Sequence, residues 1–135
     1  MSSLVETITD NGRILAYVVR AGTRAERTTF VTGPDAPFQL GFIVYPKGGE
    51  VARHFHKPVE RHLTSTSEAI LVRSGACEVD FFDDARALIR TVALQAGDLV
   101  MTLAGGHGYR MTDDCVLLEI KQGPYPGLDE KERFA

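Results

Sequence analysis

The chain contains no apolar run approaching the roughly 18 residues that a membrane-spanning helix needs. Its opening, Met1-Ser2-Ser3-Leu4-Val5-Glu6, lacks the basic stretch and apolar core of a secretory signal, so cytoplasmic residence is expected. Cysteine is scarce. Cys77 and Cys115 alone supply neither zinc-finger spacing nor a disulfide framework, and both are read as reduced core or sheet thiols. Charge of one sign is lacking too: 15 Lys and Arg face 18 Asp and Glu, a formal net charge of −3, with no block of either sign. That excludes the basic stripe of a nucleic-acid binder and the polybasic segment of a membrane-surface protein. Internal repeats, low-complexity segments and long helical stripes are absent, as is a DNA-binding helix pair.

What is present is a chain of 135 residues, 44% of them hydrophobic, enough for one domain over 1–135 with its own core. Period-two patterns dominate. They predict strands at Arg13–Arg20, Arg27–Thr32, Phe38–Tyr45, Glu50–His56, Arg61–Ser65 and Glu68–Arg73. Further strands are predicted at Cys77–Phe82, Ala87–Leu94, Leu99–Leu103, His107–Thr112 and Val116–Gln122. Turn residues separate them, among them Asp10-Asn11-Gly12, Pro46-Lys47-Gly48-Gly49 and Ala96-Gly97-Asp98. Many short, evenly spaced strands predict an all-β sandwich or barrel. The charged end, Leu128–Ala135, is expected to form a helical turn or to fray.

Three of the four histidines fall where they can act together. In His54-Phe55-His56, strand alternation puts both imidazoles on one face. By the same parity Glu68 shares a face with Ile70 and Val72, and His107 shares one with Tyr109 and Met111. Each candidate thus looks toward an apolar interior, where an unpartnered polar group is costly and coordination removes the cost. Imidazole suits Zn, Cu, Fe and Ni, and a carboxylate adds affinity for harder ions such as Mn. His62, in Glu60-Arg61-His62-Leu63, is read as an ordinary histidine.

These residues resemble the two sequence motifs of the cupin superfamily. Gly48 precedes His54-x-His56 by the family spacing, and six residues separate Glu68 from Gly75, as in the first motif. Gly97, followed after five residues by Leu103-Ala104-Gly105 and then by Gly106-His107, is similar to the second. Eleven residues, 57–67, separate His56 from Glu68 where the family has a short gap, and Leu103 replaces the motif proline. Glu60 is the rival carboxylate at the family spacing, but only Glu68 has both the glycine and an apolar strand behind it. The stretch Lys57–Ser67 is then expected to be a lip or small hairpin at the barrel mouth.

The resemblance covers about 38–122 and implies a double-stranded β-helix, the jelly-roll barrel, commonly as a homodimer. It implies one divalent metal ion (Fe, Mn, Ni or Zn) held by His54, His56, Glu68 and His107. A metal-dependent isomerase, epimerase or dioxygenase acting on a small oxygen-bearing molecule is the first functional expectation. The alternatives are a sensor or binding module without turnover, and a structural cupin with a degenerate site. An apolar wall of Ile70, Val72, Val79, Phe81, Tyr109 and Met111 is expected to favour a small ligand, with Phe42 and Tyr45 near the mouth. Glu60, His62, Tyr109 and Glu119 are the available general-base types, and Arg61 and Lys121 could bind an anionic group. Glu119 is expected to point away from Val116, Leu118 and Ile120, at the surface or between sheets. Arg13–Arg20, with Ile14, Ala16 and Val18 on one face, is the expected edge strand for a dimer.

Overall fold

Asn11 and Gly12 make the first reversal of the chain. In the computed structural model, which describes residues 3–135, both take left-handed angles (φ 48° and 79°), the geometry of a two-residue hairpin turn. The turn joins β1 (Glu6–Asp10) to β2 (Arg13–Val19). Two short strands follow, β3 (Thr29–Phe30) and β4 (Gly41–Phe42), paired only with each other. The remaining strands are β5 (Glu68–Ser74), β6 (Ala76–Phe82), β7 (Leu88–Gln95), β8 (Leu99–Thr102), β9 (Gly106–Met111) and β10 (Val116–Lys121). A 3-10 turn over Leu128–Glu130 is the only helical element among the described residues. No helix there is long and apolar enough to cross a membrane.

All pairings are antiparallel. One sheet runs β1-β2-β8-β5-β10 and another β7-β6-β9. A single core lies between them: Ile8, Leu15, Val18, Val72 and Val100 from the first meet Cys77, Val79, Phe81, Val92 and Leu94 from the second. The chain is therefore all-β, in an arrangement compatible with a β-sandwich. Alternation explains it, since β5 and β6 bury every second residue from Glu68 to Val72 and from Cys77 to Phe81. Burial pushes the Cys77 thiol up to about 11, with neighbouring Cys115 acting in the same direction, and neither cysteine is bonded.

Asp98 fastens the β7–β8 turn to the end of β2. Its buried carboxylate accepts hydrogen bonds from the amides of Ala21 (2.8 Å) and Gln95 (2.9 Å) and from Arg20 Nη1 (3.1 Å). Across β6–β9, Arg110 binds Asp80 and Glu78, while Thr91 Oγ1 donates to Asp80 at 2.6 Å. Arg110 first, and then Thr91, hold the Asp80 carboxyl below its ordinary value. A carboxyl depressed on folding stabilises the fold above the ordinary aspartate range, near pH 3.9, and loses that contribution as pH falls through its folded value. Asp80→Asn is therefore expected to lower the urea midpoint at pH 7, and the gap to the parent protein is expected to close on acidification. A gap that stays constant from pH 7 to pH 3 would contradict this.

Several sequence expectations need correction. The strands expected at Glu50–His56 and Arg61–Ser65 do not form; the chain from Gly49 to Thr64 has no secondary structure, turn or bend. Of the lip or small hairpin expected at Lys57–Ser67, the hairpin does not form: the stretch is unpaired, with a single bend at Ser65. Arg27–Thr32 and Phe38–Tyr45 shrink to the two-residue strands β3 and β4. β2 is not an edge strand, since β1 covers it, and Leu15 to Val18 are all buried. β1 escapes the alternation rule because Glu6-Thr7-Ile8-Thr9-Asp10 carries a single apolar residue.

Candidate functional site

Glu68 opens β5 on the inward face, where it lies in one cross-strand row with Thr102 of β8 and Lys121 of β10. The next row is Val100, Ile70 and Glu119. Directly opposed residues of antiparallel strands point the same way. Glu119 and Lys121 therefore face inward with Glu68, and Val116, Leu118 and Ile120 face outward and are exposed. Glu119 thus points away from Val116, Leu118 and Ile120, as expected, and of the two placements expected for it takes the one between the sheets: the apolar majority of β10 lies outside and its polar residues lie within.

His107 comes from the opposite sheet. Gly105, at φ 71°, makes the turn that starts β9, and a Cβ there would stand 2.4 Å from the Phe82 carbonyl oxygen. Gly106 then begins the strand opposite Phe82, which sets His107 opposite Phe81 and Tyr109 opposite Val79 on the inward side. The two sheets thus bring His107 Nε2 to 2.6 Å from Glu68 Oε1. The hydrogen bond from His107 holds the Glu68 carboxyl down at about 2 against the upward push of burial; the Glu119 hydrogen bond and the Lys121 charge also lower it. Glu119 shifts the opposite way, raised first by its hydrogen bond with Glu68 and then by burial. Burial, and then the Glu68 charge, push the Tyr109 phenol up.

A cleft of about 920 Å³ opens over this pair. Ile70, Phe82, Tyr109 and Leu117 supply its apolar lining, and Lys121 and Glu119 its polar edge. The C-terminal tail forms one wall. Phe134 meets the Phe82 ring edge-on at 5.0 Å, Arg86 lies over Phe134 and bonds Glu132 at 2.9 Å, and Lys121 Nζ is 3.2 Å from Glu130 Oε2. The helical turn expected there forms, and the tail docks instead of fraying. Met111, expected on the apolar wall, is exposed at the end of β9.

No protein-family model, curated protein or solved structure matches this chain. The site is therefore read from its own chemistry.

Of the four residues expected to bind a metal ion, Glu68 and His107 come together and His54 and His56 form a separate pair. The imidazoles of His54 and His56 lie on one side of an extended chain, ring centroids 5.1 Å apart, as alternation requires. His54 Nδ1 stands 2.7 Å from the Ala52 carbonyl oxygen. A proton on Nδ1 donated to that oxygen leaves the Nε2 lone pair for another partner. Both histidines are exposed, with Glu60 and His62 on the same stretch, and Phe42 and Tyr45 do not line the cleft. Among the described residues, no group of three or more His, Cys, Asp or Glu side chains is arranged to hold a metal ion. One chain thus fits half of the expected donor set.

Sequence reasoning missed Thr102, and it left Glu119 open between the surface and the space between the sheets. Among the described residues the buried Thr102 and Tyr109 hydroxyls find no hydrogen-bond partner, and both lie on inward-facing strand positions next to Glu68 and His107. An unbonded buried hydroxyl costs about 1–3 kcal/mol, so two of them around a carboxylate mark a place that a polar ligand would complete. The one sequence signal for Thr102 was its strand parity with Val100.

Proposed function

We propose that this chain is a cupin-type jelly-roll domain that binds a small oxygen-bearing molecule at Glu68–His107, with one divalent metal ion as cofactor. The observation that carries this reading is the meeting of a buried carboxylate and an imidazole, 2.6 Å apart and from opposite sheets, beneath a cleft of about 920 Å³. Carboxylate oxygen and imidazole nitrogen are ordinary donors for Fe, Mn, Ni or Zn, and two unbonded hydroxyls beside them suit ligand oxygens. A bound ion would supply Lewis-acid polarisation or activation of a water molecule. The chain's own groups would do the rest. Thr102 and Tyr109 orient the ligand through their hydroxyls, and Lys121 adds positive charge at the rim. The Glu119 carboxyl, its proton affinity raised by its hydrogen bond with Glu68, faces the site. The docked tail limits access of water. Such a set fits proton transfer on a small hydroxy-carbonyl compound, the isomerase or epimerase class, and it also suits a dioxygenase. We place the protein in the cytoplasm, where the thiols of Cys77 and Cys115 stay reduced.

A binding module without turnover is the second reading. The direct Glu68–His107 contact favours it, because that contact already satisfies both groups without an ion. Elemental analysis of the purified protein, with Fe(II) or Co(II) titration, separates the two. About one ion per chain is expected, and Glu68→Gln or His107→Ala is expected to weaken affinity more than about tenfold. A protein that takes up no ion, or variants that bind as the parent does, would leave the metal reading without support.

A further inference from the structure

We propose that Gly49–Thr64 is an exchange arm that adds to a second copy of this chain along the open edge of β9 and brings His54 and His56 to that copy's Glu68–His107 pair. Every residue from Tyr45 to Thr66 is exposed, and among the described residues the backbone from Glu50 to Thr66 makes no hydrogen bond to other backbone. Structureless stretches this long are uncommon in compact domains unless they serve a function. Without a turn or bend, Gly49–Thr64 reaches about 50 Å at roughly 3.3 Å per residue.

The arm carries two different sides. Val51, Phe55, Val59 and Leu63 share one parity and are all exposed, Phe55 at 99%. His54 and His56 occupy the other. An alternating apolar and ligand-bearing strand is built to be covered on both sides, which an arm lying between two copies achieves.

Two observations place the receiving surface on a second copy. First, no residue of the arm lines the cleft of its own chain. Between Glu50 and Ser74 the sequence contains no glycine, asparagine or aspartate, and Pro58 sits within the unbent run. His56 therefore stands up to roughly 30 Å of extended chain from the first bend, at Ser65. Second, β9 and β10 each have one unpaired side, and β10 exposes Val116, Leu118 and Ile120 on its outer face. Open edges accept an added strand through backbone hydrogen bonds. The exposed faces of β10 and of the arm are the two apolar surfaces that one association would cover. The edge of β9 is the one that sets an added strand next to His107. The exchange stands on these features alone; delivery of the histidines rests on the metal reading proposed above.

Sedimentation velocity on the full chain tests the exchange: a dimer is expected for the parent, and a monomer for Val51→Asp combined with Phe55→Asp. Both positions are exposed in the single chain, so circular dichroism should report an intact fold in that variant. A mixing experiment tests delivery, with Co(II) absorption as the readout. One variant carries His54→Ala and His56→Ala, the other Glu68→Gln and His107→Ala; neither alone is expected to bind the ion. After unfolding and refolding together, random pairing regenerates about a quarter of the parent sites, because half the dimers are mixed and each mixed dimer holds one complete set. A monomeric parent, or an aspartate variant that remains dimeric, would overturn the exchange. A parent that binds Co(II) while the mixture binds none would overturn delivery in trans and leave the metal reading intact. A parent that is dimeric, is made monomeric by the aspartates and binds no Co(II) would support the exchange and sink the metal reading instead.

Discussion

Gly75→Ala is expected to destabilise the protein by about 4 kcal/mol or more, a size that single substitutions reach only through a specific fault. Gly75 joins β5 to β6 at φ 81°, and a Cβ there would lie 1.8 Å from the Asp114 carbonyl oxygen and 2.8 Å from its carbon. Both atoms belong to the backbone of the β9–β10 turn, so no side-chain rotation relieves the clash. The left-handed angle alone costs a non-glycine residue roughly 1–2 kcal/mol. Gly12→Ala separates the two causes: its φ is similar, 79°, but nothing lies within 4 Å of the added Cβ. Urea unfolding should therefore show a loss of about 1–2 kcal/mol at Gly12 and a much larger one at Gly75. Equal losses at the two positions would show that the close approach to Asp114 is not what selects glycine.

The second large effect is expected at Phe81→Ala. Phe81 is 1% exposed, the largest of the fully buried side chains, and stands opposite His107 on β9. Its removal forfeits the transfer of a phenyl ring from water and leaves a cavity between the sheets, together about 3–5 kcal/mol. Because Phe81 and His107 point the same way, the cavity also lies beside the imidazole. Thermal unfolding measures the first effect, and the affinity for Co(II) at temperatures where the variant is folded measures the second. A loss below about 1 kcal/mol would mean that the sheets close over the gap, which is not expected for a ring with neighbours on both layers.

Alternation and turn chemistry made much of the fold legible in the sequence. Val72, Val79 and Phe81 could be placed on inward faces because each sits at a constant parity between turn residues, and Gly12, Gly48 and Gly97 were marked as turn residues before their left-handed angles were visible. The inward aim of Glu68 and of His107 was legible for the same reason. β10 was legible only in part. Alternation set Glu119 opposite Val116, Leu118 and Ile120, but because those residues are the more apolar set it left open whether Glu119 stood at the surface or between the sheets. The pairing of Glu119 with Ile70 and of Lys121 with Glu68 decides the matter, and it is a long-range register that no local pattern reports. The alternation in His54-Phe55-His56 was real, and it set both imidazoles on one side, but alternation is equally compatible with a strand in a sheet and with an unpaired extended chain.

By itself the sequence determined the fold class, the faces of the strands around Glu68 and His107 and the positions that demand glycine, since these follow from backbone sterics and from a two-residue side-chain period. Only the tertiary structure decided that Glu68 and His107 meet at 2.6 Å, that Glu119 and Lys121 share their cleft, and that the tail closes one wall of it. It also decided that His54 and His56 stand outside the cleft of the chain that carries them. The physical reason is that strand partners, and the edges left without partners, are set by contacts between residues far apart in sequence.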